Sequence, residues 1–284
     1  MTGNIVALVD GSIYSASVCE HAAWVATKTG APLELVHVLA PREAPERQDL
    51  SGSIRLGARS ALLEELAELD AQRARLVGHR GRAILEDAQK IAEGAGISGV
   101  STRMRHGDVV DTLAGIENDA ALIVVGKRGE AADFAKGHLG SNLERIVRAA
   151  HKPVMVAARS FQPVSKVLVA YDGGVSAMKA VDQIARTPLF IGLPVTIVMV
   201  GAESPASHKS LADAAALIKA AGLAVETRLL AGQPEAVLGK LVEDEGFSLL
   251  VMGAYGHSRI RTLIIGSTTT ELIRSCKVPV LLVR

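Results

Sequence analysis

Residues 248–268 read SLLVMGAYGHSRIRTLIIGST, and the order of elements within them indicates the class of fold. The stretch reads as an apolar strand, a loop that carries Gly253 and Gly256, and a helix that begins near Gly266, Ser267 and Thr268. Glycine lets a backbone turn sharply and approach a ligand, because it has no Cβ. Backbone N–H groups at the positive end of a helix suit an anion. The stretch therefore predicts a phosphate-binding loop between a strand and a helix.

A similar stretch occurs earlier in the chain. The apolar run 121–125 is followed by Gly126 and Gly129, and then by Gly140 and Ser141. The same order of strand, glycine loop and glycine-serine helix start indicates a tandem repeat. Each copy carries one candidate phosphate loop.

The beginnings and ends of the two copies also correspond. Each opens with a short apolar run that ends at Asp-Gly, Asp10-Gly11 in the first copy and Asp172-Gly173 in the second. Each closes with a proline and an apolar strand. We therefore predict two domains, residues 1–160 and 161–284, each long enough for its own core.

Short strands alternate with helical segments in both copies. Their predicted starts lie near residues 5, 33, 100, 121 and 154, and near 167, 195, 225, 249 and 280. Nearly continuous apolar strands are typical of sheets that are covered on both faces. The pattern predicts an α/β fold with two tandem, doubly wound, Rossmann-like domains, each with a five-stranded parallel sheet.

The composition limits the classes of function. With 49% hydrophobic and 21% charged residues and a net charge of +1, the chain is globular, and bulk binding to nucleic acid or an anionic membrane is not expected. The two cysteines disfavour a disulfide framework or a zinc site. We expect a cytoplasmic protein with no signal peptide, no membrane association and no metal site built from protein ligands alone.

The first copy is longer because of a charged segment over residues 41–80. It begins with a Pro- and charge-rich stretch and continues as an amphipathic one, with Leu62, Leu63, Leu66 and Leu69 on one face. We expect a surface helix that packs these leucines on the sheet. The alternative is a lid or a surface for a partner protein.

Ligands of doubly wound sheets bind beyond the carboxyl ends of the strands, where the winding direction reverses. If strands one and four of a copy flank that point, Asp172 faces the loop 253–256 and Asp10 faces the loop 126–129. Such an aspartate can accept hydrogen bonds from ribose hydroxyls or help to hold a cation.

The spacing Gly-x2-Gly-x9-Gly-Ser in the second copy is similar to the nucleotide-binding motif of universal stress proteins, and the resemblance covers both copies. It implies an ATP-binding member, with Mg²⁺ or Mn²⁺ accompanying the nucleotide. In the second copy it implies contacts from Asp172, Gly173, Val200, Gly253, Gly256, Gly266, Ser267 and Thr268. The corresponding positions of the first copy are Asp10, Val38 or Leu39, Gly126, Gly129, Gly140, Ser141 and Asn142.

The resemblance also implies that the last strands, Val154–Ala157 and Val280–Val283, lie together inside one chain. The chain would then imitate a dimer by itself. Whether two chains assemble further into a homodimer stays open at this point.

The first copy departs from the motif. It has ten residues between Gly129 and Gly140, and Glu130 and Asp133 lie where phosphate would approach, offset by Lys127, Arg128, Lys136 and His138. The second copy has Gly174 where the first has Ser12. We expect the second copy to be the better nucleotide site.

Three functions remain open. The first is an ATP-binding stress-response or signalling module that acts on an unknown protein partner. The second is a slow ATPase, although neither a Walker Gly-Lys-Ser/Thr ending nor a general base is evident. The third is a scaffold that binds another ligand or none.

Overall fold

The computed structural model describes residues 3–39, 56–129, 140–254 and 266–284. The first copy comprises β1 (Asn4–Leu8), α1 (Ser15–Thr29), β2 (Leu33–Leu39), α2 (Leu56–Gly94), β3 (Ser101–His106), α3 (Val109–Ile116), β4 (Ala120–Gly126), α4 (Ser141–Ala149) and β5 (Val154–Ala157). The second comprises β6 (Val167–Ala170), α5 (Val175–Arg186), β7 (Val195–Val200), α6 (Pro205–Ala220), β8 (Val225–Leu230), α7 (Pro234–Asp244), β9 (Leu249–Gly253), α8 (Ser267–Ser275) and β10 (Val280–Val283). Short 3₁₀ helices span Glu117–Asp119 and Pro188–Phe190.

The strands form one ten-stranded sheet in the order β3-β2-β1-β4-β5-β10-β9-β6-β7-β8. Each copy contributes five parallel strands, and the predicted α/β class is confirmed. The two halves join where β5 and β10 pair antiparallel, with Met155 opposite Leu281. The last strands thus lie together inside one chain, as the resemblance implies. The boundary at 160/161 falls in the connection between β5 and β6 and stays a prediction.

Both faces of the sheet carry a hydrophobic core. The first face packs α1, α5, α6 and the C-terminal half of α2 on the sheet, and the second packs α3, α4, α7 and α8. This double cover explains why the central strands are almost continuously apolar. The edge strands β3 and β8 are largely exposed or half-buried, which fits their mixed polar sequences.

The predicted packing of the leucine stripe in α2 is wrong. Leu62, Leu66 and Leu69 are 36%, 46% and 55% exposed, whereas Leu85 and Ala92 further along the same helix are buried. Length gives the reason. A helix of 39 residues is about 58 Å long, but the seven residues of β2 span only about 23 Å. The N-terminal half of α2 therefore extends beyond the sheet.

Candidate functional site

The two crevices lie where the sequence predicts them, at the carboxyl ends of neighbouring strands. β1 lies beside β4, and β6 lies beside β9. In each copy the winding direction reverses between these two strands. Loops that follow them therefore meet over one edge of the sheet.

The Asp-Gly step after the first strand has the same geometry in both copies. Asp10 accepts a hydrogen bond at Oδ1 from the Ser12 N–H (3.0 Å), and Asp172 accepts one at Oδ1 from the Gly174 N–H (2.8 Å). The intervening glycine adopts φ of 79° in the first copy and 77° in the second, which disfavours other residues. The local turn fixes where each carboxylate stands at the crevice.

The glycine that ends strand four has a packing reason in both copies. A Cβ at Gly126 would lie 2.8 Å from the Cβ of Tyr14, and one at Gly253 would lie 2.9 Å from the Ala177 backbone nitrogen. The first turn of α1 or α5 thus approaches the strand end too closely for any side chain. These two glycines are required by the fold, whatever they also contribute to a ligand.

The other two glycines of the first motif, Gly129 and Gly140, let the loop after β4 lie close to the start of α4. The Gly140 N–H donates to the carbonyl oxygen of Lys127 (3.2 Å), and a Cβ at Gly140 would lie 3.3 Å from the Arg128 Cα. A Cβ at Gly129 would lie 3.0 Å from Asp10 Oδ2. The structure therefore gathers Asp10, Gly129 and the start of α4 at one point.

The helices that follow these loops begin without a capping side chain. Gly140 is the N-cap of α4 and Gly266 is the N-cap of α8, and glycine offers no acceptor to the first-turn N–H groups. Elsewhere in the fold α3 is capped by Asp108 and α6 by Ser204, each through a side-chain oxygen. The glycine caps leave the positive ends of α4 and α8 open to an anion.

A cavity of about 340 Å³ occupies the first crevice. It is mainly apolar where it borders the sheet and polar where it meets the loops. Its lining includes Val9, Asp10, Ser12, Tyr14, Val36, Val38, Val109, Gly126, Arg128, Gly129, Asn142 and Arg145. The structure thus places Asp10, Gly126, Gly129 and Asn142 around one cavity, with Val38 rather than Leu39 at its strand-two side.

An ion pair that sequence reasoning missed borders this cavity. Arg145 on α4 contacts Asp108 Oδ2 at 2.7 Å, and this guanidinium lowers the pKa of the Asp108 carboxyl. Asp108 also caps α3 through the Val110 N–H (2.8 Å). No local pattern along the chain points to its partner Arg145, 37 residues away. At the position of Arg145 the second copy has Glu271.

The predicted contribution of Lys127 to charge balance at the phosphate is not supported by its position. The side chain is buried and donates a hydrogen bond to the carbonyl oxygen of Cys276, in the second copy. Burial lowers the pKa of the Lys127 ammonium to about 8. Lys127 links the two copies, whereas the adjacent Arg128 lines the cavity.

Some of the predicted site residues lie outside the described residues. In the second copy these are Gly256 and the rest of 255–265, and in the first copy they are Glu130, Asp133, Lys136 and His138. Among described positions, Asp172 follows β6, Val200 ends β7 half-buried, Gly253 ends β9, and Gly266, Ser267 and Thr268 form the start of α8. Asp172, Gly253 and the start of α8 correspond to the elements that gather around the first cavity.

Within residues 3–39, 56–129, 140–254 and 266–284, no three His, Cys, Asp or Glu side chains are grouped as a metal site would require. Within the same ranges, no helix has both the length and the apolar character needed to cross a membrane.

Comparison with known proteins shows which family the chain belongs to. The model of the universal stress protein family matches residues 1–158 and again 163–284. The chain belongs to the universal stress protein family. Universal stress protein Slr1230 of Synechocystis sp. is 39% identical to this chain over 99% of both chains.

Two solved structures are similar to all or part of this chain. A universal stress protein from Archaeoglobus fulgidus covers 99% of this chain and 98% of its own, with 22% identity and a TM-score of 0.73, which shows the shared fold. A universal stress protein in complex with cAMP covers 43% of this chain and 98% of its own, with 29% identity and a TM-score of 0.38.

Proposed function

We propose that this universal stress protein is an ATP-binding stress-response or signalling module whose occupancy alters its association with a protein partner. The observation that carries the proposal is the convergence of Asp10, Gly129 and the glycine-capped start of α4 on one cavity. In the second copy Asp172, Gly253 and the start of α8 correspond to Asp10, Gly126 and the start of α4.

The first cavity fits a nucleotide in size and in the arrangement of its chemistry. Its volume of about 340 Å³ lies within the range of small-molecule sites. Val36, Val38 and Val109 offer apolar contact to a base, and Asp10 offers a carboxylate to ribose hydroxyls or to an accompanying Mg²⁺ or Mn²⁺. Gly129 and the first turn of α4 would hold phosphate through backbone N–H groups.

The second copy supports the proposal by its motif. Its Gly-x2-Gly-x9-Gly-Ser spacing matches the family pattern without the extra loop residue of the first copy. Val200 would take the place of Val38 at the base. We therefore propose that ATP binds the second copy and that the first copy is a further nucleotide site.

The test is a calorimetric titration of the intact protein with ATP and Mg²⁺, using one variant for each copy. Asn142→Asp changes only the charge at a residue that lines the first cavity, and Gly266→Asp adds a carboxylate at the N-cap of α8. Saturable binding that loses one site in each variant supports ATP at both crevices. Loss in Gly266→Asp alone restricts ATP to the second copy.

A flat titration of the intact protein overturns the proposal and leaves a scaffold or another ligand. AMP serves as a control, because a cradle for phosphates predicts weaker binding when two phosphates are removed. Phosphate release measured on the same samples, with Asp172→Ala as a comparison, separates binding from slow hydrolysis. Turnover above background that Asp172→Ala removes would favour an enzyme over a module.

A further inference from the structure

The exposed N-terminal half of α2 carries an apolar row that nothing among the described residues covers. Leu66, Leu69 and Leu76 are 46%, 55% and 70% exposed, and Leu62 and Val77 extend the row at 36% and 42%. Exposed leucines at this density on one helix indicate an interaction surface, since isolated ones are ordinary but contiguous ones are not. We call residues 62–80 of α2 the overhanging segment.

The spacing of the row is that of a coiled coil. Leu62, Leu69 and Leu76 are seven residues apart, and Leu66 lies three residues before Leu69. This is the start of the alternation of three and four residues in which two helices pack against each other. The other positions of that alternation before Gly81 are Arg73 and Arg80, so the apolar row is completed by arginine stems and not by leucines. From Gly81 onward the helix lies on its own sheet. A Cβ at Gly81 would approach Met104 Sδ to 2.9 Å.

The charges of the overhanging segment select the partner. Its first half is acidic, with Glu64, Glu65, Glu68 and Asp70, and its second half and the next turn are basic, with Arg73, Arg75, Arg80 and Arg82. A second copy of the same helix in the antiparallel direction sets each acidic half against a basic half. A parallel partner would set like charges together. Symmetric pairing of identical patches is also the commonest arrangement of soluble oligomers.

We propose that two copies of this chain dimerise through their overhanging segments, which pair antiparallel about a two-fold axis near Ala71. Such an axis places Leu66 of each copy beside Leu76 of the other. The surface is separate from the β5–β10 junction, which is satisfied inside each chain, and the proposal does not depend on nucleotide binding.

Sedimentation velocity of the full chain over a concentration series tests the proposal. The wild type should show a monomer–dimer equilibrium. Leu66→Gln with Leu76→Gln should raise the dimer dissociation constant about 100-fold, because four apolar side chains leave the interface. The matched control is Leu217→Gln, an equally exposed leucine (44%) on α6 of the second copy, which should change nothing. Monomer alone at all concentrations, or a dimer indifferent to the double change, overturns the proposal.

Disulfide trapping tests the direction of the helices. Mixed Leu66→Cys and Leu76→Cys chains should cross-link to each other under mild oxidation, while Leu66→Cys alone should not. The native Cys19 and Cys276 are buried and should not compete. Efficient cross-linking of Leu66→Cys with itself would instead show parallel helices and overturn the antiparallel arrangement. Circular dichroism of each variant checks that α2 remains helical.

Discussion

Gly266→Asp should strengthen α8 and at the same time prevent phosphate binding at its first turn. Gly266 has φ −55° and ψ 145°, the extended conformation of an N-cap residue. The nearest described atom to an added Cβ is Thr269 Oγ1 at 3.6 Å, an ordinary contact. The carboxylate can therefore accept from the N–H of Thr268 or Thr269, which glycine leaves without a side-chain partner.

The gain in stability follows from two terms. Aspartate at an N-cap exceeds glycine by a few tenths of a kcal/mol, and a negative charge at the helix start adds roughly 0.3–1 kcal/mol. The free energy of unfolding should rise by about 0.5–1 kcal/mol and the melting temperature by about 2 °C. Gly266→Asn is the matched control, since it supplies the cap without the charge and should give only the smaller term.

The loss in ATP affinity is larger and depends on charge. A carboxylate about 4 Å from a phosphate charge repels it by about 4 kcal/mol at an effective dielectric constant near 20. Because 1.4 kcal/mol corresponds to a tenfold change, ATP binding to the second copy should weaken by more than about 100-fold. Gly266→Asn competes for the same N–H groups but adds no repulsion, so it should lose much less.

Calorimetric titration and thermal unfolding of the same samples check both effects together. Unchanged ATP stoichiometry and affinity in Gly266→Asp would refute phosphate binding at the start of α8. A lower melting temperature in both variants would refute the N-cap reasoning. Equal loss of ATP in the Asp and Asn variants would show that the N–H groups, and not the charge, decide the affinity.

Three other predictions concern the framework around the site. Burial lowers the pKa of His21, so below about pH 6.5 the unfolded chain binds more protons than the folded chain, and stability decreases as the pH decreases. Thermal unfolding between about pH 7.5 and 5.5 should therefore show a smaller decrease in melting temperature for His21→Gln than for the wild type. Gly253→Ala should lower the free energy of unfolding by about 1–3 kcal/mol in urea titrations, because its Cβ would meet the backbone of α5. The control Gly239→Ala, where the added Cβ meets no atom within 4 Å, should raise the free energy of unfolding by about 0.5–1 kcal/mol. Equal effects of the two changes would contradict the packing argument. Asp108→Ala should lower the free energy of unfolding by about 1 kcal/mol in the same assay. Asp108→Asn keeps the cap and loses only the charge opposite Arg145, so it should lower the free energy of unfolding by less than about half of that. Equal losses in the two variants would assign the whole effect to the ion pair.

The strands were predictable from sequence because their signals are local. β-branched and apolar runs between glycine, proline and polar residues place every strand start within one residue of its position in the sheet. The predicted starts near 5, 121 and 249, for example, correspond to Asn4, Ala120 and Leu249. The adjacency of strands one and four entered the sequence argument only as a condition, and the strand order of the sheet supplies it.

Long-range pairs were not predictable, because the residues involved carry no mutual pattern along the chain. Glu34 lies in the buried strand β2 and contacts the Arg103 guanidinium at 2.6 Å across the strand pair. A carboxylate in this largely apolar run would count against a buried strand until its partner on β3 is known. Asp108 with Arg145 at the first cavity is a second case. These pairs become visible only when the register of the sheet and the placement of the helices are known.

The exposed half of α2 differs from these cases, because simple geometry contradicts the expectation that its leucines pack on the sheet. A periodic apolar face shows that a helix has something to bury, but it does not say against what. The sheet offers only about 23 Å along β2, and the C-terminal half of α2 already covers that length. Leu62, Leu66 and Leu69 lie about 18 to 28 Å before Gly81 along the helix axis and cannot reach the same surface. Comparing the length of a periodic segment with the length of the strands beside it therefore distinguishes a core-facing stripe from a stripe that must find its partner outside the domain.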